Sequence, residues 1–464
     1  MSHGRSEHGL ERRLGLFSVT SIVIANIVGA GIFTTSGLLM QDLGNASVMI
    51  ALWVLGGLIA LAGALCYGEL GAAIPRAGGE YAFLSRLFHP RLGFLSGWVS
   101  FFAGFSAPIA ASAIGFSEYL TRAFPQLTSI GLIDASVEAT VVKKLLAITV
   151  ILIFTTIHMR GLELGATVQN VLTVLKVVLI IGLIVLGFSF GEGSMDRVVT
   201  GASFDLDFAG FKTLGLSLMW IMFAYSGWNA AAYIGSEIKN PARNLPWSLI
   251  LGTGVVIVLY FCINLFYVFA VPPERIGGVI SIAGLAVSET FGASLGSVVS
   301  VLVAFALFSS LSAFIILGPR VYYAMARDGL FFRFASDVHP KHGVPSKSIL
   351  LQGTVASIMV LLGTFDQILT YMAFALGIFP LLAVLGVFLL RKRGMLTFRM
   401  PGFPVTPIFY MLCGTTILVL AFLERPTESL IAILTVVVGL PVYAAFRSRQ
   451  TKPLDREATE DRQA

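Results

Sequence analysis

Charge is what this sequence has least of. Only 12% of its 464 residues are Asp, Glu, Lys or Arg, while 56% are hydrophobic. A soluble globular chain carries about 25% charged residues, so most side chains here must face lipid or other apolar helices. Cysteine is scarcer still: Cys66, Cys262 and Cys413 each lie inside an apolar run, where free cysteine is a small packing residue. That excludes a disulfide framework and a cysteine metal cluster, and no other metal or cofactor motif is present. No charged or Pro/Ser-rich linker falls between about Leu14 and Phe446, which leaves one integral membrane domain with short polar tails. The opening MSHGRSEHGLERRLG precedes a run without a small-residue cleavage site, which predicts a first span that is retained.

A bilayer core about 30 Å thick takes about 20 apolar residues per helix. Twelve runs fit that ruler, at about 15–40, 47–71, 93–120, 144–160, 163–190, 211–236, 247–271, 295–325, 347–364, 367–390, 405–423 and 428–446. With the N-terminus in the cytoplasm, 23 of the 31 lysines and arginines fall in cytoplasmic segments. The basic residues behind the pI near 9.2 therefore read as topology signals and not as a nucleic-acid surface. The expected plan is an all-α protein with a cytoplasmic tail over 1–13, a ten-helix core over 14–391, two further helices over 392–446 and a second cytoplasmic tail over 447–464.

Glycine interrupts two of these spans. VGAGIFTTSG, residues 28–37, weakens the first, and FAYSGWNAAAYIGSEIKNPARNLP, residues 223–246, puts Ser226, Gly227 and Asn229 in the middle of the sixth. Each interior glycine costs a helix about 1 kcal/mol against alanine. Spans one and six correspond if the chain is two five-helix halves followed by two helices, and paired interruptions of this kind point to a transporter's central site. Unwinding frees amides that attract an anion and carbonyls that attract a cation, tolerable at membrane depth only where they meet a ligand or line a cavity. A free amino acid carries both charges. The competing explanation is a small-residue packing face, common in membrane helices.

Lys176 stands 13 residues after Glu163 and 16 before Glu192, about 20 Å from either helix end and too deep for its stem to reach water. A buried ammonium needs oxygen partners; the candidates are freed carbonyls of span one and Ser309, Ser310 and Ser312 of span eight. The alternative is a lysine that only locks helix packing.

VGAGIF, FAYSGWN, SEIKNPARNLP, YGELGAAIPRAGGEYAFL (67–84) and GPRVYYAMARDG (318–329) occur in one chain and in family order. The sequence resembles the amino acid, polyamine and organocation (APC) superfamily over about 12–390, and most closely its L-type amino acid transporters. That resemblance implies the leucine transporter fold, a five-plus-five inverted repeat with discontinuous helices 1 and 6. It also implies substrate carboxylate contacts at the Ala30 and Gly31 amides, ammonium contacts at the carbonyls of Ile27, Phe223 and Ser226, Gly29 and Gly227 within the same substrate site, and Phe223 as an aromatic gate. L-type members usually have glycine where Ser226 stands, so the pocket is narrowed. Asn229 would lie near the substrate side chain, or else hydrogen-bond the unwound backbone.

The resemblance further implies that Lys176 replaces a sodium ion between helices one and eight, giving sodium-independent transport of neutral amino acids by alternating access, as an exchanger or, if the lysine titrates, a proton symporter. Glu69, Arg76, Glu80 and Arg243 would close the cytoplasmic route, or would be solvated loop charges. Gly104 stands where cationic relatives carry glutamate, which argues against lysine or arginine as main substrate. The loop from about Thr121 to Lys144 lacks the cysteine that animal members use to bond an accessory glycoprotein, so no disulfide-linked subunit is expected. His158 reads as interfacial.

An intramembrane enzyme would need paired nucleophile, acid or metal ligands at depth, and a channel would need repeated polar rings; neither pattern is present. A sensor using the same site without transport would share its residues, and uptake into vesicles separates the two. The expected location is the plasma or inner membrane, in multiple passes.

Overall fold

The computed structural model describes residues 12, 14–76, 78–128, 135–160, 162–199, 203–339 and 344–450, with the side chains of 135–136, 162–173, 309, 320, 324 and 449–450 outside the description. Eighteen α-helices follow one another in these residues: α1 Leu16–Ile27, α2 Gly31–Leu43, α3 Ala46–Ala73, α4 Glu80–Leu87, α5 Pro90–Val99, α6 Ala107–Ala123, α7 Ala135–Met159, α8 Leu162–Phe190 and α9 Phe208–Ala224. Then come α10 Ala230–Tyr233, α11 Pro241–Ala270, α12 Pro273–Ile276, α13 Ile282–Phe291, α14 Ala293–Arg327, α15 Ser346–Leu362, α16 Phe365–Lys392, α17 Val405–Glu424 and α18 Pro426–Gln450.

Every apolar run marked out above coincides with a helix. Among the described residues, nine stretches are long and apolar enough to cross a membrane, with α1 and α2 taken as one stretch. The helices α9 and α15, 17 residues each, and the described part of α8 are shorter. The chain is thus a multi-pass, all-helical membrane protein. Side-chain caps mark several helix starts: Asn45 accepts from the Val48 amide at 3.0 Å, Asp207 from Gly210 at 2.7 Å, and Thr364 forms a capping box with Gln367. Two short helices, α4 and α13, lie between the apolar runs marked out above, and a π-helical turn over Ser100–Ser106 joins α5 to α6. Such turns cluster at functional sites.

The two interrupted spans meet at the centre. α1 stops at Ile27 and α2 starts at Gly31; α9 stops at Ala224, and five residues of turn precede α10. α11 runs beside α1 and α3, while α14 packs on α6 and α8 and α17 covers α9. The end where Arg76, Lys239 and Arg243 lie by the start of α1 and the segment after α10 is called the basic face below. There Leu14 pairs with the strand-like segment after α10, its amide on the Glu237 carbonyl at 3.0 Å and its carbonyl taking the Lys239 amide at 2.8 Å. At the opposite face the Gly278 amide donates to the Gly37 carbonyl at 2.8 Å, closing α2 against the segment between α12 and α13.

Candidate functional site

The breaks are in direct contact. Gly227 has φ +99°, a region side chains rarely adopt, and a Cβ there would stand 2.7 Å from the carbonyl carbon and oxygen of Asn26. Gly31 serves a different purpose: its φ is ordinary, and a Cβ would lie 2.5 Å from the Cα of Ala224. One glycine permits the turn, and the other lets the start of α2 touch the end of α9.

Breaking a helix orphans its backbone groups, and their partners are specific. The Tyr260 hydroxyl on α11 donates to the Ile27 carbonyl at 2.7 Å and lies 3.1 Å from that of Ala224, so one phenol covers the last carbonyls of both half-helices. Tyr119 on α6 donates to the Phe33 carbonyl and accepts from the Ala283 amide. Ser36 donates to Asn264 at 2.5 Å. Phe223 is buried, and its carbonyl takes the Ser226 amide at 2.8 Å. The Ala30 carbonyl accepts from the Phe33 amide at 3.0 Å and from the Thr34 hydroxyl at 2.9 Å. The amides of Ala30, Gly31 and Ile32, by contrast, find no acceptor among the described residues. They are the first N–H groups of α2, at mid-span.

Around this centre the structure unites some expected residues and separates others. Gly29 and Ser226 are half-buried. Ser310, 4% exposed, has a hydroxyl without a hydrogen bond, 3.7 Å from where a Gly29 Cβ would stand. Lys176 is 1% exposed and makes no hydrogen bond or ion pair with a described residue, so the carbonyl and serine partners expected for it are not among its described contacts. The Ser309 side chain lies outside the described residues. Ser312 is engaged elsewhere, 2.9 Å from His158 Nε2. His158, in the last turn of α7, is covered by protein, being only 3% exposed.

The Asn229 amide nitrogen bonds side chains and not the unwound backbone among the described residues. Its Nδ2 donates to Glu80 Oε1 at 2.6 Å. Nor do Glu69, Arg76, Glu80 and Arg243 form one charge network. Arg76 and Arg243 are exposed, and Glu69 is gripped by Arg391 through bonds of 2.7 and 2.6 Å. Nearby, Tyr81 donates to Asp328 at 2.8 Å; burial, with that carboxylate, pushes its phenol above the ordinary range and keeps it a donor. Sequence reasoning missed Tyr260, Tyr119 and Asn264, because a buried polar side chain among apolar ones carries no signal of its partner.

A family model described as amino acid permease matches residues 14–441. The chain belongs to the amino acid permease family. It is 29% identical over 450 residues to the b(0,+)-type amino acid transporter 1 of Mus musculus, covering 94% of this chain and 88% of that one. It is also 29% identical to the serine/threonine exchanger SteT of Bacillus subtilis (strain 168), covering 96% and 99%. The Asc-type amino acid transporter 1 of Homo sapiens is 26% identical, covering 97% and 85%. These relatives are transporters and not enzymes, as the absence of paired catalytic groups in the spans suggested.

Proposed function

We propose that the chain moves small neutral L-amino acids across the membrane by alternating access, without sodium, as an exchanger. One observation carries the reading: two helix breaks abut at mid-span and leave the Ala30, Gly31 and Ile32 amides without acceptors among the described residues. These amides suit a carboxylate. A carbonyl has two lone pairs; with one taken by Tyr260 at Ile27, a second remains there for an ammonium. Ser226 in place of the glycine usual in L-type members favours short side chains, and the serine/threonine exchanger among the relatives supports both small substrates and exchange. The burial of Lys176 supports sodium independence, since a buried amine at that depth could take the role of a cation.

The breaks in spans one and six favour a plan of twelve helices, five plus five in inverted repeat and two more, and the basic residues favour cytoplasmic termini in the plasma or inner membrane. The 121–144 loop has no cysteine, which favours a chain without a disulfide-linked subunit. Proton-coupled symport is the second reading, favoured because Lys176 lacks a described partner and could exchange a proton during the cycle. Purified protein in liposomes tests all of this with labelled serine, alanine, leucine and arginine. Serine and alanine uptake should require internal unlabelled amino acid and ignore sodium. Sodium-dependent flux or dominant arginine uptake would overturn the reading, and uptake driven by a pH gradient alone would select symport.

A further inference from the structure

Glu80 is a carboxylate 5% exposed at the first position of α4, and no cation pairs with it among the described residues. A buried carboxylate is costly unless hydrogen bonds hold it, and three uncharged side chains do so. Tyr67 of α3 donates to Oε1 at 2.8 Å, Asn229 to the same oxygen at 2.6 Å, and the Tyr233 hydroxyl to Oε2 at 2.5 Å. Asn229 closes the turn that contains Ser226 and Gly227, and Tyr233 ends α10, so two of the three donors belong to the short second half of span six. The backbone before Glu80 is fitted to the same partner. Gly78 donates its amide to the Tyr233 carbonyl at 3.2 Å, and Gly79, at φ +52°, leaves a Tyr233 ring carbon 2.6 Å from where its Cβ would be.

We propose that Glu80 is the latch between the substrate turn and closure of the basic face: it gathers Asn229 and Tyr233 against α3 and α4, and release of those two donors frees α10 to open that face. The inference rests on the transport reading above. Bonds to a charged acceptor are about twice as strong as neutral ones, so the latch is strong enough to hold a half-helix. Because Asn229 is both the last residue of the turn and a ligand of the carboxylate, occupancy of the turn is felt at the latch. Glu80 is a positioning residue: nothing requires it to touch substrate.

The test uses two reporter cysteines in a background with Cys66, Cys262 and Cys413 replaced by alanine. Ser236→Cys follows α10, and Thr35→Cys lies in α2 toward the opposite face; both native hydroxyls lack hydrogen bonds, so neither exchange removes one. Labelling by a water-soluble maleimide is followed in detergent for the parent and for Glu80→Ala, Glu80→Gln and Tyr233→Phe. At Ser236→Cys the rate should rise about tenfold in Glu80→Ala and less in the two milder variants, with no rise at Thr35→Cys. Serine should slow labelling at Ser236→Cys in the parent and lose that effect in Glu80→Ala, while still raising that variant's thermal stability. Unchanged rates at Ser236→Cys would overturn the latch, and so would equal rises at both reporters, which mean general loosening. Failure of the parent to exchange amino acids would overturn the transport reading instead, and the labelling comparison would still decide the latch.

Discussion

The hydroxyl of Tyr260 donates to the carbonyl of Ile27 at 2.7 Å, across the gap where the first span stops being a helix. The same oxygen stands 3.1 Å from the Ala224 carbonyl, so the two breaks share one bracket. Tyr260→Phe removes the bracket and keeps the ring, whose edge packs on Trp53 at 5.5 Å between centroids. Two buried carbonyls then lose a donor, at a cost of about 1–3 kcal/mol. The expected result is a lower unfolding midpoint in detergent and at least a tenfold loss of serine exchange. Wild-type exchange in Tyr260→Phe would mean that the bracket is dispensable.

The glycines make a sharper demand. Gly227→Ala places a Cβ 2.7 Å from the Asn26 backbone at φ +99°, and Gly31→Ala places one 2.5 Å from the Ala224 Cα. Backbone cannot step aside as a side-chain tip can, and overpacking of this kind costs about 1–3 kcal/mol or more. Both variants should lose exchange. Gly182→Ala, with open space around its Cβ, should behave as wild type in the same assay. Equal behaviour of all three would show that the breaks need no close contact.

Much of this was readable in the sequence, for stated reasons. Helix positions follow from apolar run length, which is why α3 and α17 fall within about two residues of expectation. The interruptions at 28–30 and 225–229 follow from glycine and polar residues inside such runs. The use of each glycine does not follow, because unwinding at Gly227 and close contact at Gly31 leave the same letter. Partners were less legible still. Glu69 finds Arg391 across 322 positions, and Asn229 finds Glu80 across 149; hydropathy contains no term for such pairs. α4 was missed because its eight residues mix charges with apolar side chains and bury one face only.

Ser226 sets a prediction about size. Its side chain occupies space at the break that glycine would leave free. Ser226→Gly should therefore raise leucine exchange relative to alanine by about tenfold, in line with the worth of one small group in a pocket. Competition of labelled alanine by unlabelled leucine in both proteins measures it. An unchanged ratio would place the specificity determinant elsewhere.

Lys176 separates charge from volume. Lys176→Met retains most of the buried stem and loses the amine, so a lysine that only fills space predicts near-normal exchange. A lysine standing in for a cation predicts loss of at least tenfold in Lys176→Met and in Lys176→Ala alike, with folded protein recovered in both cases. Sodium should be tested on each variant, since a vacated cation position is where a new ion dependence would arise.

The pair formed by Glu69 and Arg391 concerns stability more than flux. Glu69 is fully buried, and its two oxygens accept from Nε and Nη2 of Arg391 while Oε2 also takes the Met400 amide at 2.9 Å. The guanidinium carbon stands 3.7 Å from the Phe403 ring centroid, so one arginine joins α3, the end of α16 and the segment leading to α17. Removing one partner of a buried pair strands the other and costs about 3–5 kcal/mol. Glu69→Gln and Arg391→Met should each lower the unfolding midpoint strongly. The double variant should be more stable than either single change predicts, because neither charge is left alone. Lysine cannot reproduce the two parallel bonds or the flat contact with Phe403, so Arg391→Lys should resemble Arg391→Met more than wild type. Near-wild-type stability of Arg391→Lys would reduce the contact to a simple attraction of opposite charges.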